Sequence, residues 1–444
     1  MSESVDKTSL GDWRGQFTQE LLGIIPAFSF PKNEHQVASE TQRAVDEIVS
    51  RVLMPEVLQL PSTRRLFGLA QHSPVVDEVL GLNLTRGAHA EGTMRLAAHL
   101  LAHLWVAAPE YFYELIKPYT LDPKSAILHA VEYMRIHDLP TLAFQGALHG
   151  KLELDGEPYD EDLALIMALE ERPTYKPVSD VINDPQTQDY YSRRGIDKTK
   201  ILQIARDAIG GSNVLGLILK GGKGFAPNVD WMAYTASDLS ALNQTFGIDA
   251  NAPFTERISL VLTKLAELSE TLSTNSPLPQ LAKATIALQP IEQLVPLDIV
   301  RLGKVNGKIE PIYDARAIFE LYLTHIILRL CYTGSPWMRG TYSQMLNHFV
   351  NQFGKNDPEL IRLLLTKSEA EFLNSGLRGE LQVKGWNYSP SPNEGKPINF
   401  VFKHIEDAKL DLGGNVVTFK DAFANLMDWA GQIKKQPPLY LIQA

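Results

Sequence analysis

Apolar residues recur at intervals of three and four along most of the chain, the spacing that lays an apolar stripe on one face of a helix. Six stretches show it: TQRAVDEIVSRVLMPEVLQL (41–60), EGTMRLAAHLLAHLWVAA (91–108), KSAILHAVEYMRIHD (124–138), TERISLVLTKLAELSETLS (255–273), DARAIFELYLTHIILRLC (314–331) and TYSQMLNHFVNQF (341–353). Thr255, with Glu256 after it, reads as a helix start, and Pro118, Pro140, Pro277 and Pro279 fall beyond or between helical runs. Strand patterns are few. SNVLGLILKG (212–221) fits a strand or a short buried helix, and KPINFVFKHI (396–405) followed by AKLDLGGNVVTF (408–419) predicts a two-stranded element with a Gly-Gly turn.

The expected fold is mostly α: a large helical domain, a smaller N-terminal helical region and a minor β-hairpin near the C-terminus. Loop-like composition at 151–160, 172–198 and 386–397 suggests a division into an N-terminal helical region (1–150), a loop-rich connection (151–200) and a C-terminal helical domain (201–444).

Composition narrows the function classes. Of 444 residues, 44% are hydrophobic and 21% charged, the balance of an ordinary globular protein. A net charge of −10 gives no electrostatic support for nucleic-acid binding. The single cysteine, Cys331, excludes an internal disulfide framework and a Cys-rich metal site. MSESVDKTSLGDWRGQF has no apolar core, so no signal peptide is expected. The longest apolar runs are too short and interrupted to span a bilayer, which makes the cytoplasm the expected compartment.

Several constellations could carry chemistry. His99 and His103 stand four residues apart on one helical face, with Glu91 two turns upstream and His89 placed in the preceding loop. His129, Glu132 and His137 of the 124–138 helix could complete a non-haem metal site, since imidazoles at this spacing can converge on one ion. The bland alternative is histidines bonded to neighbouring carbonyls and carboxylates. GLILKGGKGFAP (216–227) has the glycines of a phosphate-cradling loop, but Lys223 is followed by Gly224 where Ser or Thr is needed, so a turn is favoured. In PEYFYELIKPY (109–119), Tyr111, Phe112, Tyr113 and Tyr119 could line an aromatic pocket with Lys117, although such runs more often anchor a core. Cys331, in an apolar stretch, reads as buried and inert.

His325 is flanked at helical spacing by Leu321, Tyr322, Leu328 and Arg329. An imidazole on a mostly apolar face with a cation one turn away is what a haem proximal site needs: iron ligation, packing of the porphyrin, and a partner for a propionate. The segment around it resembles the indoleamine/tryptophan 2,3-dioxygenase superfamily, including the pyrrolnitrin-pathway enzyme that rearranges chlorotryptophan. Tyr313, Asp314 and Ala315, then His325, then Gly340, Thr341, Met345, Leu346 and Phe349 carry the likeness, over about 40 residues. The bulky Pro336–Arg339 run departs from the family's glycine-rich loop.

The resemblance implies haem b ligated through its iron by His325, with Arg329, Gly340 and Thr341 contacting the cofactor. His348 is the reserve ligand. It further implies O2 on the opposite face and a small aromatic, indole-like substrate met by Arg339, Tyr342 and Ser343. A homo-oligomer is also implied; the acidic net charge and the short apolar runs, for their part, lead to no nucleic-acid or membrane partner being expected. Three functions are therefore in play: a haem-dependent dioxygenase, a non-haem metal enzyme using His99 and His103, and a non-enzymatic helical interaction protein.

Overall fold

A computed structural model describes residues 39–71, 84–143, 153–154, 157–221, 227–246, 299–315, 317–319, 321–322, 358–366 and 407–424. The fold is mostly α with a small mixed sheet, as the periodicity predicts. Among the described residues no helix is long and apolar enough to cross a membrane.

The helices, in chain order, are α1 (Ser39–Val52), α2 (Pro61–Leu66), α3 (Arg86–Ala107), α4 (Pro109–Ile116) and α5 (Pro123–Ile136). After a two-strand ladder of β1 (Glu153–Leu154) and β2 (Glu157–Pro158) come α6 (Glu161–Leu169), α7 (Lys176–Ile182), α8 (Pro185–Arg194), α9 (Lys198–Gly210), α10 (Val214–Leu219) and α11 (Val229–Phe246). The periodic stretch 41–60 is split by Pro55, which opens a short 3₁₀ turn, Pro55–Gln59. The stretch 212–221 resolves as the helix α10, capped by Asn213.

The segment 172–198 had loop-like composition but holds two helices. Prolines there sit in the first turns of α7 and α8, where a missing amide N–H is harmless, and Asp184 caps α8. These prolines punctuate helix starts rather than a loop.

α3 and α5 form the central pair and are buried on nearly every side, with α1, α2 and α11 packed on α3. Thr93 lies at their contact: its hydroxyl, in mid-α3, shares one proton between the Ala90 carbonyl of its own helix at 2.9 Å and the Met134 carbonyl of α5 at 3.1 Å. The buried Arg135 guanidinium spans Glu132, Ser62 and Thr63 and ties α5 to α2. Burial of a charge is tolerable there because each side of the pair is hydrogen-bonded.

The sheet runs β3 (Val300–Val305), β4 (Lys308–Asp314), β5 (Lys409–Leu412), β6 (Asn415–Thr418), with β4 and β5 parallel and the outer pairs antiparallel. The helix α12 (Pro358–Thr366) lies between β4 and β5 in sequence, and α13 (Phe419–Ala422) follows β6. The Gly413-Gly414 turn joins β5 to β6, so the expected hairpin forms within 408–419. The other predicted strand, 396–405, lies outside the described residues. The β3–β4 hairpin turns on Asn306-Gly307, both at positive φ, the two-residue turn whose backbone twist matches its strands.

The helical stretches 255–273 and 341–353 also lie outside the described residues. So does the 314–331 stretch beyond Tyr322; before it, Asp314 caps a helical turn through Ala317 N.

Candidate metal centre

Three element ends converge beside the α3–α5 pair. The first is the start of α3. Thr85 caps it by accepting from Ala88 N, and Arg86 N donates to the Leu69 carbonyl, so the entry angle is fixed at both ends. Gly87 allows that close approach, because a Cβ there would overlap the Phe67 ring. His89 therefore sits in the first turn of α3 rather than in the loop before it, and it is buried.

The second is the end of α5, where His137 is the capping residue and Asp138 follows. His137 Nδ1 lies 2.7 Å from the Met134 carbonyl oxygen. A carbonyl can only accept, so Nδ1 carries the proton and Nε2 of the neutral ring presents a lone pair. Arg65 holds the residues just beyond: its guanidinium donates to the Leu139, Thr141 and Leu364 carbonyls.

The third is the start of α11, where Asn228 accepts from Trp231 N and sets Asp230 in the first turn. Asp230 Oδ1 stands 2.8 Å from His89 Nε2 and 3.2 Å from His137 Nε2. One ligand atom from each of the three residues falls within 4.8 Å of the others, the compactness that a single ion needs. Asp138 borders the same point, Oδ2 at 3.8 Å from His89 Nε2 and Oδ1 at 3.5 Å from His137 Nε2.

Each carboxylate has its own cation. Arg86 Nη1 donates to Asp138 Oδ2 at 2.9 Å, and Lys220 Nζ donates to Asp230 Oδ2 at 2.8 Å. Lys220, just past α10, also lies 3.6 Å from Asp162 Oδ1 in the first turn of α6. Burial alone would raise the Asp138 carboxyl, but His137, Arg86, His89 and Lys220 hold it well below the usual carboxylate range. Asp230 is likewise driven down against burial, by Lys220 and His137 first. For Asp162 burial wins, and its carboxyl is raised. Burial would lower the His137 imidazole, yet Asp138 and Asp230 outweigh it and raise it.

Of the residues singled out from sequence, His89 and His137 enter this cluster. His129 does not: its Nδ1 donates to the Ser125 carbonyl and its Nε2 accepts from Asp197 N at 2.9 Å, so both nitrogens serve the scaffold. Glu132 is bound to Arg135 in the core, and Glu91 pairs with Arg95. His99 and His103 lie roughly 15 and 21 Å further along the α3 axis than His89, at 1.5 Å per residue, and take no part in the cluster. In the 109–119 run, Phe112 packs on Trp105 and the Tyr119 hydroxyl donates to Asp207, which makes these two aromatics scaffold. Of the 216–227 loop, Lys220 belongs to the site. His325, Arg329, Arg339, Gly340, Thr341, Tyr342, Ser343 and His348 lie outside the described residues, as does Cys331.

Asp138 and Asp230 were not among the sequence candidates. The available signal was the adjacent His137-Asp138 pair at a helix end, with a histidine upstream and an aspartate opening a later helix. No protein-family model matches the chain, and a search of curated proteins finds no match.

Proposed function

We propose that the chain is a divalent-metal-dependent hydrolase of phosphate esters, with His89, His137, Asp138 and Asp230 as the metal ligands. The observation that carries this reading is the meeting of His137 Nε2 with Asp230 Oδ1 at 3.2 Å. With Nδ1 committed to the Met134 carbonyl, the neutral ring would set one lone pair against another. Only a proton or a cation between them makes the geometry favourable.

The donor set, two imidazole nitrogens and two carboxylate oxygens, suits Mn2+, Fe2+, Co2+ or Zn2+. The Met134 bond to His137 Nδ1 is the kind of outer contact that fixes tautomer and ring orientation in metal sites. Such an ion would supply a polarised phosphoryl oxygen and a water of lowered pKa.

Charge selects the substrate. Arg86 offsets Asp138 and Lys220 offsets Asp230. A divalent ion then leaves the centre with two uncompensated positive charges, or one when Asp162 is ionised. That matches a phosphate monoester or diester, and a neutral ester or amide would gain nothing from it. Lys220 is nearly buried and fixed by two carboxylates, so it presents its charge without reorganising.

His89, His137 and Asp230 alone would form the two-histidine, one-carboxylate set of mononuclear iron oxygenases. Asp138 as a fourth ligand and the two flanking cations favour hydrolysis over that second reading. Haem ligated by His325 rests on the sequence resemblance.

The test is metal analysis of purified protein together with hydrolysis of p-nitrophenyl phosphate, bis-p-nitrophenyl phosphate and p-nitrophenyl acetate. The expected outcome is a bound first-row metal and phosphate-ester turnover, both lost in His137→Ala. A Soret band lost in His325→Ala would instead establish the haem enzyme. Turnover of the acetate alone would overturn the phosphate assignment.

A further inference from the structure

Tyr133 lies on α5 four residues before His137, on the same helical face. Its side chain is completely buried, and its hydroxyl has no hydrogen-bond partner among the described residues. Three other buried tyrosines are paired, Tyr119 with Asp207, Tyr159 with the Pro140 carbonyl and Tyr313 with the Pro227 carbonyl, whereas Tyr191, beside the Glu132–Arg135 pair and away from the metal centre, shares the lack of a partner. A buried hydroxyl left without a partner is unfavourable, and such groups persist where a ligand completes them.

The surroundings say which ligand. Burial raises the Tyr133 hydroxyl far above its ordinary value, and the charged groups that act on it are Lys220, Asp162, Asp230 and Asp138, the same groups that border the metal centre. The hydroxyl therefore stays protonated, a buried neutral donor one helical turn from His137. Lys220 Nζ has three protons, of which one is directed to Asp230 and a second leans toward Asp162 at 3.6 Å. An unspent hydroxyl proton and an ammonium proton are donors without a protein acceptor to share, and an oxyanion supplies one.

We infer that Tyr133 and Lys220 form the subsite that receives a non-bridging phosphoryl oxygen of the substrate, beside the metal. This rests on the phosphate-ester reading above and adds to it a substrate-contacting residue that neither ligates the ion nor lies beside a ligand in sequence.

The experiment uses the full chain and its Tyr133→Phe variant, which keeps the ring and removes only the hydroxyl. Mn2+ binding is followed by titration, and inorganic phosphate binding is then measured on the Mn2+-loaded proteins. Expected is Mn2+ affinity within about twofold of wild type, phosphate affinity weakened about tenfold or more, and a KM for p-nitrophenyl phosphate raised by a similar factor. Unchanged phosphate affinity with intact Mn2+ binding overturns the subsite and leaves the hydrolase reading standing. Wild-type protein that takes up Mn2+ but no phosphate overturns the phosphate reading and the subsite with it. Wild-type protein that takes up no metal overturns the centre itself. Should Tyr133→Phe lose Mn2+ as well as phosphate, Tyr133 acts on the scaffold, and the subsite is again overturned.

Discussion

His89 and His137 face one another edge to face, ring centroids 5.3 Å apart, although 48 residues separate them in the chain. The two helices that carry them pack along their buried lengths, with the Thr93 hydroxyl of α3 reaching the Met134 carbonyl of α5, so the imidazole pair is a property of the α3–α5 packing. Ligand geometry built on packed helices is rigid before any ion arrives.

Metal loading should therefore stabilise the fold. At a free Mn2+ concentration a hundred times Kd, linkage predicts about 2.7 kcal/mol of added stability. A thermal melt with and without Mn2+ reads this as a rise in Tm. His89→Ala and Asp230→Asn should abolish the rise, and a rise of the same size in either variant would place the ion elsewhere.

The metal-free protein should be most stable between the ordinary carboxylate value of 3.8 and the ordinary imidazole value of 6.5. His137 is raised in the fold, so its contribution is complete below 6.5 and is lost as pH climbs through the raised value. Asp138 and Asp230 are depressed, so their contribution is present above 3.8 and is lost as pH falls through the lower folded values. Melts of chelator-treated protein from pH 5 to 9 should show Tm falling above 6.5. In Mn2+-loaded protein the ion replaces the proton, and the fall should vanish. A metal-free Tm that climbs from pH 6.5 to 8 would contradict the assignment.

Arg135 and Glu132 are both buried and bonded to each other. Glu132→Gln or Arg135→Met removes one partner and leaves a charge or its hydrogen-bonding groups stranded, which costs about 3–5 kcal/mol. Urea unfolding measures it. Replacing both by apolar residues should recover much of the loss, and a loss below about 1 kcal/mol in the single variants would show the pair to be hydrated.

Gly87→Ala drives a methyl into the Phe67 ring and pushes on the turn that carries His89. Both stability and Mn2+ affinity should fall, the stability by about 1–3 kcal/mol as in other overpacked sites. Phe67 is partly exposed, so the double variant Gly87→Ala/Phe67→Ala relieves the overlap. Mn2+ titration of the double variant should return to near the wild-type affinity. If it does not, the glycine matters for backbone freedom rather than for space.

The two central helices were legible in the sequence because their signal is local, whereas the proline-rich 172–198 stretch hid two helices behind a loop-like composition. The 91–108 and 124–138 patterns correspond to α3 and α5, and only their ends moved: Thr85 starts α3 several residues early because its hydroxyl caps it. The β3–β4 hairpin was equally local but passed over, although Asn306-Gly307 between alternating runs is a strong turn signal. The candidate site was far less legible. Spacing within one helix pointed to His99 and His103, whereas the cluster gathers one or two residues from each of three element ends, with Asp230 93 positions beyond His137. Nothing local tells Asp230 from any other acidic residue in a first helical turn. His129 and His137 likewise look alike in sequence, and only the arrival of Asp197 N beside one and Asp230 beside the other separates a scaffold histidine from a ligand.

The Arg65 guanidinium sets a clock on assembly. Two of its acceptors, Leu139 and Thr141, directly follow the ligand-bearing turn, but the third, the Leu364 carbonyl, belongs to a residue 299 positions beyond Arg65. At ribosomal speeds of about 5–20 residues per second, that partner is made about 15–60 s after Arg65 itself. A nascent chain thus holds both histidines long before the clamp behind them can close. The centre would mature only once Leu364 has been made, and a chain terminated before that residue would carry both histidines without their fastening.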